Sequence, residues 1–183
     1  MSAAQNAWPA LPLAPWESTR ATLHMYAQIV GKIRLTLAPH EPQWGHVALF
    51  VTARGLTTGP MRLRDRTFAI DFDLLAHEVR IDANDGAARA LSLLPAKSVA
   101  DFYAALMGAL DEMGLHVAIN TMPQEVANPI PFPADITHAT YDPGPVTTFF
   151  RILSLVDAAM KAHRAPFRGR QSPVQFFWGT FDL

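Results

Sequence analysis

Two stretches of strict alternation, Thr67 to Asp73 and His77 to Asp82, constrain this chain more than any other feature. Phe68, Ile70 and Phe72 fall on one face of the first, with Ala69, Asp71 and Asp73 on the other. His77, Val79 and Ile81 share one face of the second. Strands this close in sequence pair antiparallel, and both apolar sets must then meet on one side of the sheet. Placing Phe72 opposite His77, Ile70 opposite Val79 and Phe68 opposite Ile81 achieves this with a four-residue turn, Asp73 to Ala76. A slip of one residue would turn a whole set outward. Asn84-Asp85-Gly86 is a hairpin signal that leads into a further strand carrying Leu91 and Leu93. The expectation is a three-stranded meander.

Helices flank it. The prolines of Trp8 to Pro15 exclude a helix there and predict an extended arm over residues 1–15, packed by Trp8 and Leu11. A helix is expected from an N-cap near Ser18 to about Leu37, with Leu23, Tyr26, Ala27, Val30, Ile33 and Leu37 at buried-stripe spacing. His46 to Thr52 reads as a strand covered on both faces, followed by an Arg54 to Pro60 loop. Ser98 and Asp101 resemble a capping box opening a second helix that Gly114 stops. Leu115, Val117 and Ile119 alternate as a strand would. Residues 122–145 hold six prolines and no periodicity, a length of irregular chain typical of lids and binding loops. A third helix follows Pro145 with Phe149, Leu153, Val156 and Met160 inward, and Val174 to Trp178 reads as a last buried strand. The fold class is therefore α+β: a mostly antiparallel sheet with about three helices packed on it, in one domain spanning 1–183.

Composition narrows the function classes. With half of 183 residues apolar, the chain can bury roughly 70% of its unfolded surface. Charged residues are only 17% and the net charge is −1, without the basic stripe a nucleic-acid partner requires. There is no cysteine, which removes disulfides, thiolate metal sites and cysteine nucleophiles together. No secretory leader or membrane-length apolar run is visible, and 12 Arg against 3 Lys suits a GC-rich bacterial genome. The expected location is the bacterial cytoplasm, with no membrane and no nucleic acid as partner, and a homo-oligomer left open. Phosphate-loop, dinucleotide, HExxH, nucleophile-elbow and calcium-loop motifs are all absent, so no cofactor is assigned.

Four groups of residues could carry chemistry. Arg20, His24, Gln28 and Lys32 recur every four residues as a narrow polar stripe on an otherwise apolar helix. Such a stripe either faces solvent or lines an internal cavity, where His24 would serve as a base near neutral pH. His46 and His77, both expected inward, could ligate a metal beside Asp71 or Asp73; the spacing does not match a ligand set, and no metal is assigned. The register above sets Asp71 across from Glu78, a like-charge pair that Arg80 and water would screen. Arg54 beside Gly55 and Thr57, and Arg168 beside Gly169, could hold anions through their guanidinium forks.

The segments Trp8-Pro-Ala-Leu-Pro12, Thr22-Leu-His-Met25, Gln28 to Arg34, Val51 to Thr58 and Ser172 to Asp182, with Ile70 to Asp73 and Tyr141 to Pro143, resemble a bacterial family of unknown function over nearly the whole chain. The resemblance implies no activity. Relatives tend to carry His where this chain has Gln175, and they continue beyond Asp182-Leu183. A shortened form of a longer protein is therefore expected.

The reading of function that follows is a small-molecule pocket between the first helix and the sheet, covered by residues 122–145, in a protein that could be an enzyme of unassigned reaction. His24 is the expected catalytic group, and Gln28, His46 and Arg54 the expected ligand-binding groups. The competing reading is a non-catalytic interaction or oligomerisation module, whose aromatics and low charge would serve an interface.

Overall fold

The alternation of residues 67–82 becomes two long strands at the centre of a single antiparallel sheet. The computed structural model describes residues 8–183. In chain order these comprise α1 (Glu17–Leu37), β1 (Phe50–Val51), β2 (Gly55–Thr57), β3 (Met61–Leu63), β4 (Arg66–Asp73), β5 (Glu78–Ala83), β6 (Ala88–Ser92), α2 (Val99–Glu112) and α3 (Pro143–Arg164). The sheet order is β1-β2-β4-β5-β6, and β3 shares the edge of β4 that β2 also uses. Phe68, Ile70, Phe72, Val79 and Ile81 are buried against Tyr26, Ile29 and Ile33 of α1 and Phe102, Leu106 and Leu110 of α2. The fold class is thus α+β as expected, with a meander β4-β5-β6 closed by Asn84 to Ala87, where Gly86 takes φ 86°.

The register differs from expectation by two residues. Phe72 faces Val79, Ile70 faces Ile81 and Phe68 faces Ala83. The turn is Leu74 to His77, because Asp73 folds back to accept the amides of Leu75 (3.1 Å) and Ala76 (2.8 Å), while His77 takes the left-handed position at φ 55°. A shift of two preserves side-chain parity, so the apolar face is unchanged. Its effect is on charge: Asp71 now faces Arg80 rather than Glu78, and Asp73 faces Glu78 but turns away to pair with Arg54. His77 sits in the turn, half-buried, 3.0 Å from the Tyr141 hydroxyl.

Other elements also depart from the sequence reading. The 3-10 turn Ala14–Trp16 runs directly into α1, so the N-cap is Trp16 and Ser18 lies within the first turn. Trp16 is buried and packs on Phe149 at 5.4 Å, whereas Trp8 is 58% exposed. The first seven residues of the expected arm lie outside the described residues. The Arg54 to Pro60 loop contains β2, paired with Leu56 opposite Phe72. His46 to Thr52 and Val174 to Trp178 shrink to β1 and two isolated bridges, Leu49 with Phe176 and Phe177 with Asp182, since each buries its side chains without a full ladder partner. Leu115, Val117 and Ile119 form no strand. In α3 the inward residues are Val146, Phe150, Leu153 and Asp157, rotated from the expected face; Asp157 concealed the period by being polar, and Lys161 one turn on neutralises it at 2.6 Å. The capping of α2 by Ser98 is as expected, its hydroxyl accepting the Asp101 amide at 3.0 Å.

Candidate functional site

On α1, the polar stripe is buried. Gln28 is fully enclosed, Lys32 is 3% exposed and His24 7% exposed, so the solvent-facing reading does not hold for them. What covers them is the irregular stretch 122–145 and the turn at 178–180, on the side of α1 away from the sheet. An irregular segment must find partners for its backbone groups elsewhere, and α1 supplies them. Gln28 accepts the Gln124 amide at 2.8 Å and donates to the Gln124 carbonyl at 2.7 Å, pairing with that residue as a neighbouring strand would. Thr22 accepts the amide of Thr140 (3.2 Å) and Thr19 that of Asp142 (3.1 Å). Lys32 donates to the Gln124 side-chain oxygen at 3.3 Å and lies 5.8 Å from the Trp178 ring centre, with no carboxylate partner among the described residues. Burial lowers its pKa.

His24, next to half-buried Arg20, stands at the end of this stripe where the cover is incomplete. Its Nε2 lies 2.9 Å from the Gly179 carbonyl and 3.1 Å from Gln28 Nε2. The carbonyl requires a donor there, and the Gln28 amide, oriented by Gln124, requires an acceptor. Each neutral tautomer satisfies one neighbour and opposes the other. Burial lowers the His24 pKa, against the opposing pull of the Gly179 and Trp178 carbonyls, so the ring is held neutral. It opens onto a cleft of about 340 Å³ between α1 and residues 125–130, bounded also by Arg20, Glu125, Asn128, His138 and Thr180.

Across this cleft stands a histidine that sequence reasoning missed. His138 Nδ1 donates to the carboxylate of Asp135 at 2.7 Å, and Asp135 is 1% exposed. The other carboxylate oxygen accepts the amides of Thr137 and His138, both at 3.1 Å. The first amides of α2 hold this loop in place: Val99 donates to the His138 carbonyl and Ala100 to that of Asp135, each at 2.9 Å. Two of the orphan donors at the helix start are thereby satisfied. A buried carboxylate that orients a histidine through Nδ1 leaves Nε2 as the basic nitrogen, the arrangement that general bases use. The signal in the sequence was only Asp135 and His138 three apart in a proline-rich stretch, which a capping turn produces equally well.

The remaining expected ligand residues are elsewhere. His46 stacks on His40 at 4.7 Å and on Trp44 at 5.8 Å, and its Nδ1 accepts the Glu41 amide at 3.2 Å. Arg54 pairs with Asp73 beside a separate cleft that also contains Thr52, Asp71 and Arg80. Burial raises the Asp73 pKa, but Arg54 and the Ala76 and Leu75 amides outweigh it and hold the carboxyl below its ordinary value. Neither residue borders the His24 cleft, and that cleft lies under the 122–145 stretch rather than between α1 and the sheet. Among the described residues no three His, Asp or Glu side chains gather as a metal site would need. Among them, too, no helix is long and apolar enough to cross a membrane. Gln175, where relatives were expected to carry His, is buried and donates to the Gly45 carbonyl at 3.0 Å.

A family model described as a family of unknown function (DUF5996) matches residues 8–183, and the chain belongs to that family. No curated protein and no solved structure matches it.

Proposed function

We propose that this member of a family of unknown function binds a small polar molecule in the cleft between α1 and residues 125–130, where His24 and the His138–Asp135 pair move a proton. The observation that carries this reading is convergence: a neutral buried histidine, a carboxylate-oriented histidine, an arginine and a glutamate border one hollow of about 340 Å³. Arg20 and His24 come from α1, His138 from a loop pinned to the start of α2, and Glu125 from the stretch that Gln28 holds through Gln124, so a rigid frame positions them. His138, with Nδ1 committed to Asp135, is the base; His24, whose tautomer is not locked, relays or returns the proton. Gln28 acts by holding the loop and the ring, not by touching ligand, because it is fully enclosed.

A ligand-observed NMR screen of polar fragments tests this. The reading expects hits whose binding is lost in His138→Ala and in Arg20→Met, with thermal stability within a few degrees of the wild type. Hits that bind all three proteins equally, or that shift only the resonances of Arg54 and its neighbours, would remove the cleft as the site.

A further inference from the structure

The His24 cleft is closed at one end. Glu125 and Thr180 stand between it and a neighbouring hollow walled by Trp44, Val47 and Trp178. The contact of His24 with the Gly179 carbonyl, at 2.9 Å, and the bonds of Gln28 to Gln124 brace that partition. A ligand of the cleft is therefore short. At about 30 Å³ per water, its volume of about 340 Å³ corresponds to roughly eleven non-hydrogen atoms. Besides its histidines, two charged side chains border it, Arg20 and Glu125. Neither makes an ion pair among the described residues, with the other or with any third group. Arg20 is half-buried, and its Nε is enclosed without a hydrogen-bond partner. Glu125 takes the left-handed conformation at φ 56°, and its carboxylate overhangs Gly179, where a Cβ would meet Oε1 at 3.4 Å. Backbone strain of this kind at a non-glycine residue persists only where the surroundings enforce it, and it concentrates at binding sites.

His24 lies between the two charges. Arg20 is one turn away on α1, about 6 Å at the helical rise, and Glu125 overhangs the residue whose carbonyl His24 meets. The two charges act on the His24 ring with opposite sign. Opposite charges held apart on one cleft complement a molecule that carries both signs. A simple carboxylate would bring Glu125 a like charge, and a simple amine would do the same to Arg20. Asp135 does not enter this balance as a ligand group, because its oxygens are committed to His138 and to two amides. Charges one carbon apart suit the short span, since a hydrogen bond extends each toward its partner. Met25, Val126 and Ile130 also border the cleft and give an aliphatic group a place. We propose that the cleft binds a compact aliphatic α-amino acid as its zwitterion, with the carboxylate on Arg20 and the ammonium on Glu125. This rests on the reading that the His24 cleft is a ligand site, and names its substrate class.

The test compares L-leucine with 4-methylpentanoate and 3-methylbutylamine, which keep its skeleton and lose one charge each. Titration calorimetry gives the affinities, and the imidazole resonances of His24 and His138 locate the binding. L-Leucine is expected to bind at least tenfold tighter than either analogue and to shift both histidines. Glu125→Gln, a change at an exposed residue, should bring L-leucine down to the affinity of 4-methylpentanoate without weakening that acid. Arg20→Met should bring L-leucine down to the affinity of the amine, and Arg20→Lys should restore part of the loss. Equal affinities for L-leucine and 4-methylpentanoate, indifferent to Glu125 and with both histidines shifted, would overturn the zwitterion and leave the cleft standing as a site. Failure of all three probes to shift either histidine would overturn the zwitterion as well, and a fragment screen without hits in the cleft would then overturn both readings.

Discussion

At the scale of single residues, the chemistry of this protein is governed by polar groups placed where water is excluded. His24 shows the consequence for stability. Burial lowers its pKa from the ordinary 6.5, so the unfolded chain takes up its proton at a higher pH than the folded chain does. The contribution is complete above the unfolded value and declines as pH falls below about 6.5 toward the folded one. His77, also lowered by burial, acts with the same sign. Asp73 belongs to a different window, since its depressed carboxyl costs stability only below about pH 4. Urea denaturation at pH 7.5 and pH 5.5 should therefore show lower stability at the acid value, and His24→Gln should reduce the difference. An unchanged difference in that variant would mean His24 is not held neutral by the fold.

On the scale of elements, α1 is the organising piece: one side packs the sheet and the other serves as a template for chain that has no ladder of its own. Gly31 marks where the C-terminal turn meets it. A Cβ there would lie 2.1 Å from Trp178 Cδ1, and the Trp178 indole is fixed by its 2.8 Å bond to the Val47 carbonyl. Alanine is favoured over glycine in a helix by about 1 kcal/mol, yet overpacking here should win. Gly31→Ala is expected to destabilise by about 2 kcal/mol net of that gain, read by urea titration with an unchanged m-value. Gln28→Leu goes further in mechanism, because it leaves both backbone groups of Gln124 without partners. A loss of about 3 kcal/mol is expected from two unsatisfied buried groups.

Considered as a whole molecule, the protein closes an irregular stretch over a helix by specific hydrogen bonds rather than by regular structure. The amides of Gln124, Thr140 and Asp142 should consequently resist hydrogen exchange nearly as well as those of β4 and β5. Exchange of these three within seconds would show a loosely held cover instead. Much of the frame was legible from sequence. Period-2 alternation gave the faces of β4 and β5, the Asn84-Asp85-Gly86 signal their connection to β6, and Ser98 the start of α2. The same reasoning missed the register by two residues, because parity cannot distinguish pairings that differ by a whole side-chain period and the choice fell to the Asp73 turn. It named His24 and Gln28 correctly as members of one stripe but grouped with them His46 and Arg54, which the fold carries elsewhere. Local pattern determines which side chains share a face, because sterics and periodicity act over a few residues. Whether the stripe on α1 is wet or covered, and that Asp135 and His138 come to stand across from His24, depends on contacts between segments about a hundred residues apart. Those contacts are selected by the shape and unmet hydrogen bonds of the assembled core, which no local pattern encodes.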